Sequence, residues 1–376
     1  MHDAESWREV TPALRRSVFI TAKTPLNVIP AKACPEHGRR AGIQVLFAPL
    51  QITISLLLLL SHSHKASAAQ PLPLRYCQAY SAARSIFSLP ISIAERQSFF
   101  RREGLHFKLV VPIPGGSDKM IDALHDDSCD LTHVAVPFLI RASLNGSDAV
   151  AIAAEFTNPI YSLVVKPEIK SYDDLKGKMI GLADEAGTIT ISTRKLLALH
   201  GVGAADFRVK IIEGTPARWS CLKRGECDAV PLGQPQDLLA VKDGFHVLGI
   251  SNDAVPDFLY TVTAARRSWA EKNPEALTRY IRALGAAFKF IRAPANRPAV
   301  VKTIVDSTDT PADIARQTLQ LFFEPERNVL PQKGEINVKG LSQVIAFMGE
   351  AGSLKEPLPT AERFVDLRYL QSAGVK

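Results

Sequence analysis

Two short segments, Gly115-Gly116-Ser117 and Gly187-Thr188, place glycine and a hydroxyl residue just ahead of a helical pattern. The first N–H groups of a helix have no partner inside it, and its dipole adds positive potential, so an anionic or polar ligand group is favoured there. Ser117 and Thr188 also suit helix N-caps, a role compatible with binding. Arg84 and Arg218 follow candidate strand-end loops, where a planar guanidinium would pair two-pronged with a carboxylate or sulfonate. Gln234, after Gly233, offers a donor and an acceptor at another strand end. Tyr80, Phe138, Phe156 and Trp219 are candidate apolar walls, with core packing the stronger reading for Phe156. Thr157, in the Thr157–Pro159 loop, and Thr190, at the end of the Asp184–Thr190 loop that holds Gly187 and Thr188, complete the candidates.

Other chemistries find little support. There is neither a phosphate loop of Gly-x-x-x-x-Gly-Lys type nor a Gly-x-Ser-x-Gly elbow. His106, His125, His133 and His200 are scattered, and each reads as a surface or satisfied histidine. Five cysteines, at 34, 77, 129, 221 and 227, show no Cys-x-x-Cys and no zinc spacing. No metal or cofactor is therefore expected. Most of the cysteines read as free, buried and apolar, although an oxidising compartment would permit disulfides of unspecified pairing.

The elements that would position these residues form an α/β chain. Strands are expected at Leu74–Cys77, Phe107–Val111, Leu131–Val136, Ala149–Ala154, Ser162–Val165, Met179–Leu182, Val209–Ile212, Ala229–Leu232 and His246–Ile250. Helical patterns between them predict βα units around mainly parallel sheets. After Val262 only helices are expected. Asn273-Pro274-Glu275 opens one as N-cap, first-turn proline and early acid, and Leu277, Tyr280, Ile281, Leu284, Phe288 and Ile291 mark its buried stripe. Others are expected over Pro311–Phe323, Val338–Gly349 and Ala361–Gln371. An approximate repeat, Phe107 to Asp130 against Phe207 to Asp228, runs in both copies from a strand through a Gly-containing turn and a helix to Cys-Asp. It predicts two similar α/β lobes. Lobes joined by crossings create a cleft, and open α/β sheets bind ligands beyond the carboxyl ends of their strands.

Charge and hydropathy address the two ends of the chain. The 376 residues carry a formal net charge of +7, but residues 1–68 hold eight Lys and Arg against four Asp and Glu. The remainder is nearly balanced and lacks a basic stripe interleaved with aromatics, so nucleic acid is not an expected partner. From Ala41 to His64 there is no charged residue, and Arg39-Arg40, the run to Leu60 and Ala66-Ser67-Ala68-Ala69 follow the order of a secretory signal. The run is short of the ~20 apolar residues that span a bilayer. A signal peptide over 45–68 with cleavage after Ala68 is expected, and His62-x-His64 would leave with it. Residues 1–44 lack apolar periodicity and read as a non-structural leader, with a true start near Val45.

Ile93-Ala94-Glu95-Arg96-Gln97-Ser98-Phe99-Phe100-Arg101-Arg102-Glu103-Gly104-Leu105 resembles the first helix and turn of the nitrate/sulfonate/taurine and thiamine-pyrimidine-precursor class of ABC-importer substrate-binding proteins. So do Asp174-Leu175-Lys176-Gly177-Lys178, Gly225-Glu226-Cys227-Asp228-Ala229 and Asn273-Pro274-Glu275-Ala276-Leu277. The likeness runs from about residue 72 to 310. Ser98 departs from it, standing where the family has glycine, and neither the cysteine-rich signature of the fungal pyrimidine-synthesising relatives nor a lipobox cysteine is present.

The resemblance implies a two-lobed periplasmic binding protein fold of type II with a helical C-terminal part. Lobe 1 would comprise 70–160 with 262–376, and lobe 2 161–261, with crossings near Asn158–Ser162 and Phe258–Val262. It implies a periplasmic monomer that binds a small solute and serves membrane permease subunits. The alternative is an enzyme on the same fold acting on a small heterocycle.

Overall fold

The computed structural model describes residues 70–113 and 116–375. The leader, the signal segment with His62 and His64, and Gly115 lie outside the described residues.

Ten strands follow in chain order: β1 Leu72–Ala79, β2 Leu105–Ile113, β3 Leu131–Ala135, β4 Ala149–Phe156, β5 Ser162–Val165, β6 Met179–Leu182, β7 Arg208–Ile211, β8 Ala229–Leu232, β9 His246–Ile250 and β10 Thr261–Arg266. They make two five-stranded sheets, ordered β2-β1-β3-β10-β4 and β7-β6-β8-β5-β9. In the first, β1 runs parallel to β2 and β3, while β10 lies antiparallel between β3 and β4. In the second, β6 runs parallel to β7 and β8, while β5 lies antiparallel between β8 and β9. The order is therefore the same twice, and the single antiparallel strand of each sheet is the one arriving from the other lobe.

This arrangement corrects the expectation of helices alone after Val262. Thr261–Arg266 is a central strand, with Val262 opposite both Val134 and Ala154. Its three β-branched residues, Thr261, Val262 and Thr263, are followed by a pair of alanines and an arginine. Its strand state comes from the ladders on both sides more than from local propensity.

The repeat has a structural counterpart. Asp130 takes the Arg75 backbone N–H at 2.7 Å and pairs with the Arg75 guanidinium. Asp228 takes the Met179 N–H at 2.8 Å and pairs with Lys166. Each aspartate thus fastens the start of β3 or β8 to the neighbouring parallel strand. The preceding cysteines differ. Cys227 is bridged to Cys221, which corrects the reading of most cysteines as free, while Cys129 and Cys77 are free and buried.

Along β5, Leu163 and Val165 join one hydrophobic cluster and Val164 the other, as the two-residue period of a strand with both faces covered requires. The exposed β7 forms an edge, where Arg208 and Lys210 guard against further pairing. In the first lobe the Pro274–Arg292 helix buries the whole predicted stripe from Leu277 to Ile291. Asn273 stands at its N-cap position, but the side-chain amide donates back to the Trp269 carbonyl at 2.9 Å. Helices Ala312–Phe322 and Val338–Glu350 follow as expected. The predicted helix over Ala361–Gln371 is instead a 3-10 turn, Ala361–Phe364, and a short helix, Arg368–Ser372. Between them Val365 bridges to Ala151, which takes the chain out of helical geometry. No described helix is long and apolar enough to cross a membrane.

Candidate functional site

Helices and loops leaving the carboxyl ends of β1, β2, β3, β6, β7 and β8 converge on a cavity of about 640 Å³ with walls from both lobes. That volume suits a small organic solute.

Tyr80, Arg84, Gly116, Ser117, Phe138, Thr188, Arg218 and Gln234 all line it. Tyr80 and Arg84 lie at the exposed rim, the guanidinium donating to the Tyr80 hydroxyl at 3.2 Å. Ser117 begins the Ser117–His125 helix, and its hydroxyl oxygen accepts the Ala135 N–H at 3.0 Å, leaving the hydroxyl hydrogen to donate. Gly116 faces the opposite lobe so closely that a Cβ there would lie 2.7 Å from a Glu213 carboxylate oxygen.

Arg218 departs from expectation. It is 1 % exposed and donates to the Pro231 and Ile212 carbonyls and to the Thr215 hydroxyl. No carboxylate pairs with it directly among the described residues. Burial lowers its pKa, while Tyr161, Tyr260, Asp184 and Glu213 nearby favour the charge. It is a buried cation fixed in the cleft wall, with carbonyls in place of a counter-ion.

Thr157, Gly187 and Thr190 do not line the cavity and are corrected. The Thr157 backbone is held by the Val329 carbonyl at 2.8 Å, and the residue is buried in the crossing after β4. The Gly187 N–H is already taken by the Asp184 carboxylate, and a Cβ at Gly187 would collide with that group. Thr190 donates to the Asp184 carbonyl at 2.8 Å. Asp184 therefore ties its own loop and occupies part of the helix N-terminus predicted for ligand. Trp219 also misses the cavity and packs edge-on against Phe245, and Phe156 belongs to the core.

Two lining residues keep polar atoms without partners. Gln234 donates both amide hydrogens, to the Ile160 carbonyl and to Asp237, each at 2.8 Å, and its carbonyl oxygen is buried and unpaired. The Thr188 hydroxyl is likewise buried and unpaired. Buried polar atoms without partners are uncommon, and in a cavity wall they suit a ligand's donors and acceptors.

Sequence reasoning missed His133, Tyr161 and Tyr260, which also line the cavity. His133 sits in β3 and donates or accepts through Nδ1 at 2.7 Å to Glu155, a fully buried carboxylate in β4. The available signal was a single ionisable residue in each of two otherwise apolar or small-residue strands, which demands a buried partner. Tyr161 and Tyr260 stand on the two crossings, and burial pushes the Tyr161 phenol up to about 12. Among the described residues no group of His, Cys, Asp and Glu is arranged to hold a metal ion.

The doubled sheet order and the inter-lobe cavity define the periplasmic binding protein fold. Solved structures with that fold include the periplasmic aliphatic sulphonate binding protein SsuA from Escherichia coli, 18% identical, with a TM-score of 0.62 over 79% of this chain and 92% of that one. The desulfurization enzyme DSZB is similar too, at 14% identity and a TM-score of 0.58 over 80% of this chain and 98% of the other. Among curated proteins, YtlA of Bacillus subtilis (strain 168), assigned to the binding proteins, is 22% identical across 78% of this chain and 89% of its own length. The family model described as NMT1/THI5 like matches residues 87–296, and the chain belongs to that family.

Proposed function

We propose that the protein is the extracytoplasmic solute-binding component of an ABC importer. It captures a small anionic or heterocyclic solute between lobe 1, residues 70–160 with 262–376, and lobe 2, residues 161–261, closing about the two crossings. One observation carries this reading: the cavity wall holds the buried Arg218 cation without a carboxylate partner, together with the unpaired Thr188 hydroxyl and Gln234 carbonyl. Unpaired buried polar groups each cost about 1–3 kcal/mol, which a bound solute would recover. Bridging both lobes selects a closed form, the surface that permease subunits would recognise. The sulphonate named for the Escherichia coli neighbour makes sulfonates the first class to test.

The signal-like segment supports periplasmic export, and intact mass should place the mature start near Ala69 or Gln70. A thermal-shift screen of sulfonates, nitrate, carboxylates and pyrimidines tests the function. Reversible stabilisation without turnover is expected for at least one class. No stabilisation by any of them contradicts the reading. The likeness to a desulfurization enzyme favours the second reading, an enzyme acting on a small heterocycle, and turnover of a stabilising compound would establish it instead.

A further inference from the structure

We propose that His133 contacts the bound anion as an imidazolium, so that solute capture takes up one proton. The inference rests on the anion-binding reading of the cleft and names a residue and a linkage that reading does not contain.

The argument begins at Glu155. Its carboxylate, fully buried in β4, meets three side chains: Tyr76 and Thr263 donate to Oε1, each at 2.7 Å, and His133 Nδ1 lies 2.7 Å from Oε2. The Tyr280 hydroxyl lies 2.8 Å from the Thr263 hydroxyl and completes the chain. Burial holds the Tyr76 and Tyr280 phenols well above their ordinary pKa, so both are hydrogen donors. With the Thr263 hydrogen committed to Glu155, Tyr280 donates to the Thr263 oxygen. Both partners of Oε1 thus supply hydrogen, the arrangement that suits an acceptor-only carboxylate. Extending the same acceptor role to Oε2 assigns the His133 hydrogen to Nδ1. The remaining ring nitrogen, Nε2, makes no hydrogen bond among the described residues, and the residue lines the cavity.

Neutral His133 therefore offers the cavity a lone pair, backed by a buried negative charge. That combination repels an anion. One proton on Nε2 neutralises the pair and creates a donor facing the solute.

Titratable and charged groups surround the ring. On the elements packed against β3, Tyr76 comes from β1 and Thr263 from β10. On the Ser117–His125 helix, Asp118 lines the cavity, Lys119 and Asp122 pair with each other, and His125 bonds Ser147. From the Val136–Leu144 helix, Arg141 is held by the Ala186 carbonyl at 3.0 Å. Asp184, Glu185 and Glu213 line the cavity as well, so its carboxylates outnumber Arg84 and Arg218. An anion placed there needs a further positive group, and His133 can supply one. By linkage, a proton bound more tightly in the complex makes affinity rise as pH falls.

The test has two arms. Nitrogen-15 NMR of the purified protein, without solute, reads the His133 tautomer. The Nδ1–H form is expected when the ring is neutral, and an Nε2–H form overturns the proposal whatever the solute. Calorimetry with methanesulfonate, nitrate and acetate follows, at pH 6 and pH 8, in buffers of different ionisation enthalpy. A binding anion should gain on the order of tenfold in affinity from pH 8 to pH 6, which by linkage is an average uptake of about half a proton across that window. His133→Gln should remove both effects, and Glu155→Gln should weaken the pH dependence. Binding that is independent of pH and unchanged in His133→Gln overturns this inference alone. Absence of binding by all three probes overturns the anion reading and this inference with it.

Discussion

Tyr161 and Tyr260 meet hydroxyl to hydroxyl at 2.7 Å, one on each of the two chain crossings. Around them the crossings are tied again, by the Tyr260 N–H to the Thr157 carbonyl at 2.9 Å and by the Asn158 amide to the Pro256 carbonyl at 2.8 Å. Both phenols line the cavity, so the junction between lobes and the floor of the cleft are one structure.

Tyr260→Phe removes one partner of that bond and leaves the other hydroxyl buried. It should lower unfolding free energy by about 1–2 kcal/mol, read as a lower urea midpoint. An unchanged midpoint would show that the crossings do not depend on this bond.

Ser98 adopts φ 59°, the left-handed region, at the turn ahead of Phe99. Only glycine adopts that region without a steric penalty. Ser98→Gly should raise stability by up to about 1 kcal/mol, partly offset by the greater freedom of glycine in the unfolded chain. A clear loss in the urea midpoint would contradict this account of the turn.

Much of this was legible in the sequence. Strand positions, the duplicated lobes, the Leu277–Ile291 stripe and a cleft at strand ends all follow from periodicities that local chain geometry imposes. β10 was not legible, because its strand state depends on partners far away in the chain. Asp184 hid for a similar reason: the pattern Gly187-Thr188 announces a helix start, but not the carboxylate already folded onto it. His133 and Glu155 lie 22 residues apart on strands that are not adjacent, so only the sheet order brings them together.

Asp228 should govern part of the acid stability. Burial opposes its ionisation, yet the Lys166 ammonium and the Met179 N–H outweigh that, and its pKa is lowered. A carboxyl lowered on folding stabilises above its unfolded pKa, near 4, and that contribution is lost as pH falls further. Asp228→Ala should cost about 1–3 kcal/mol at pH 7, and the urea midpoint should fall less steeply below about pH 4 than in the parent. Equal acid slopes would contradict the assignment.

Arg218→Met keeps the length of the side chain and removes the buried cation. Affinity for an anionic solute should drop at least about tenfold by calorimetry, the loss expected when a charged hydrogen-bonding partner is removed. Folding should also weaken, because the Pro231 and Ile212 carbonyls lose their donor. Affinity retained within twofold would place the solute elsewhere.

The most direct test of capture between lobes is small-angle scattering of the purified protein, with and without a saturating amount of the solute that gives the largest thermal shift. Closure about the crossings at Asn158–Ser162 and Phe258–Val262 predicts a smaller radius of gyration in the saturated sample. A radius that stays constant on saturation would contradict hinge closure and the cleft assignment that depends on it.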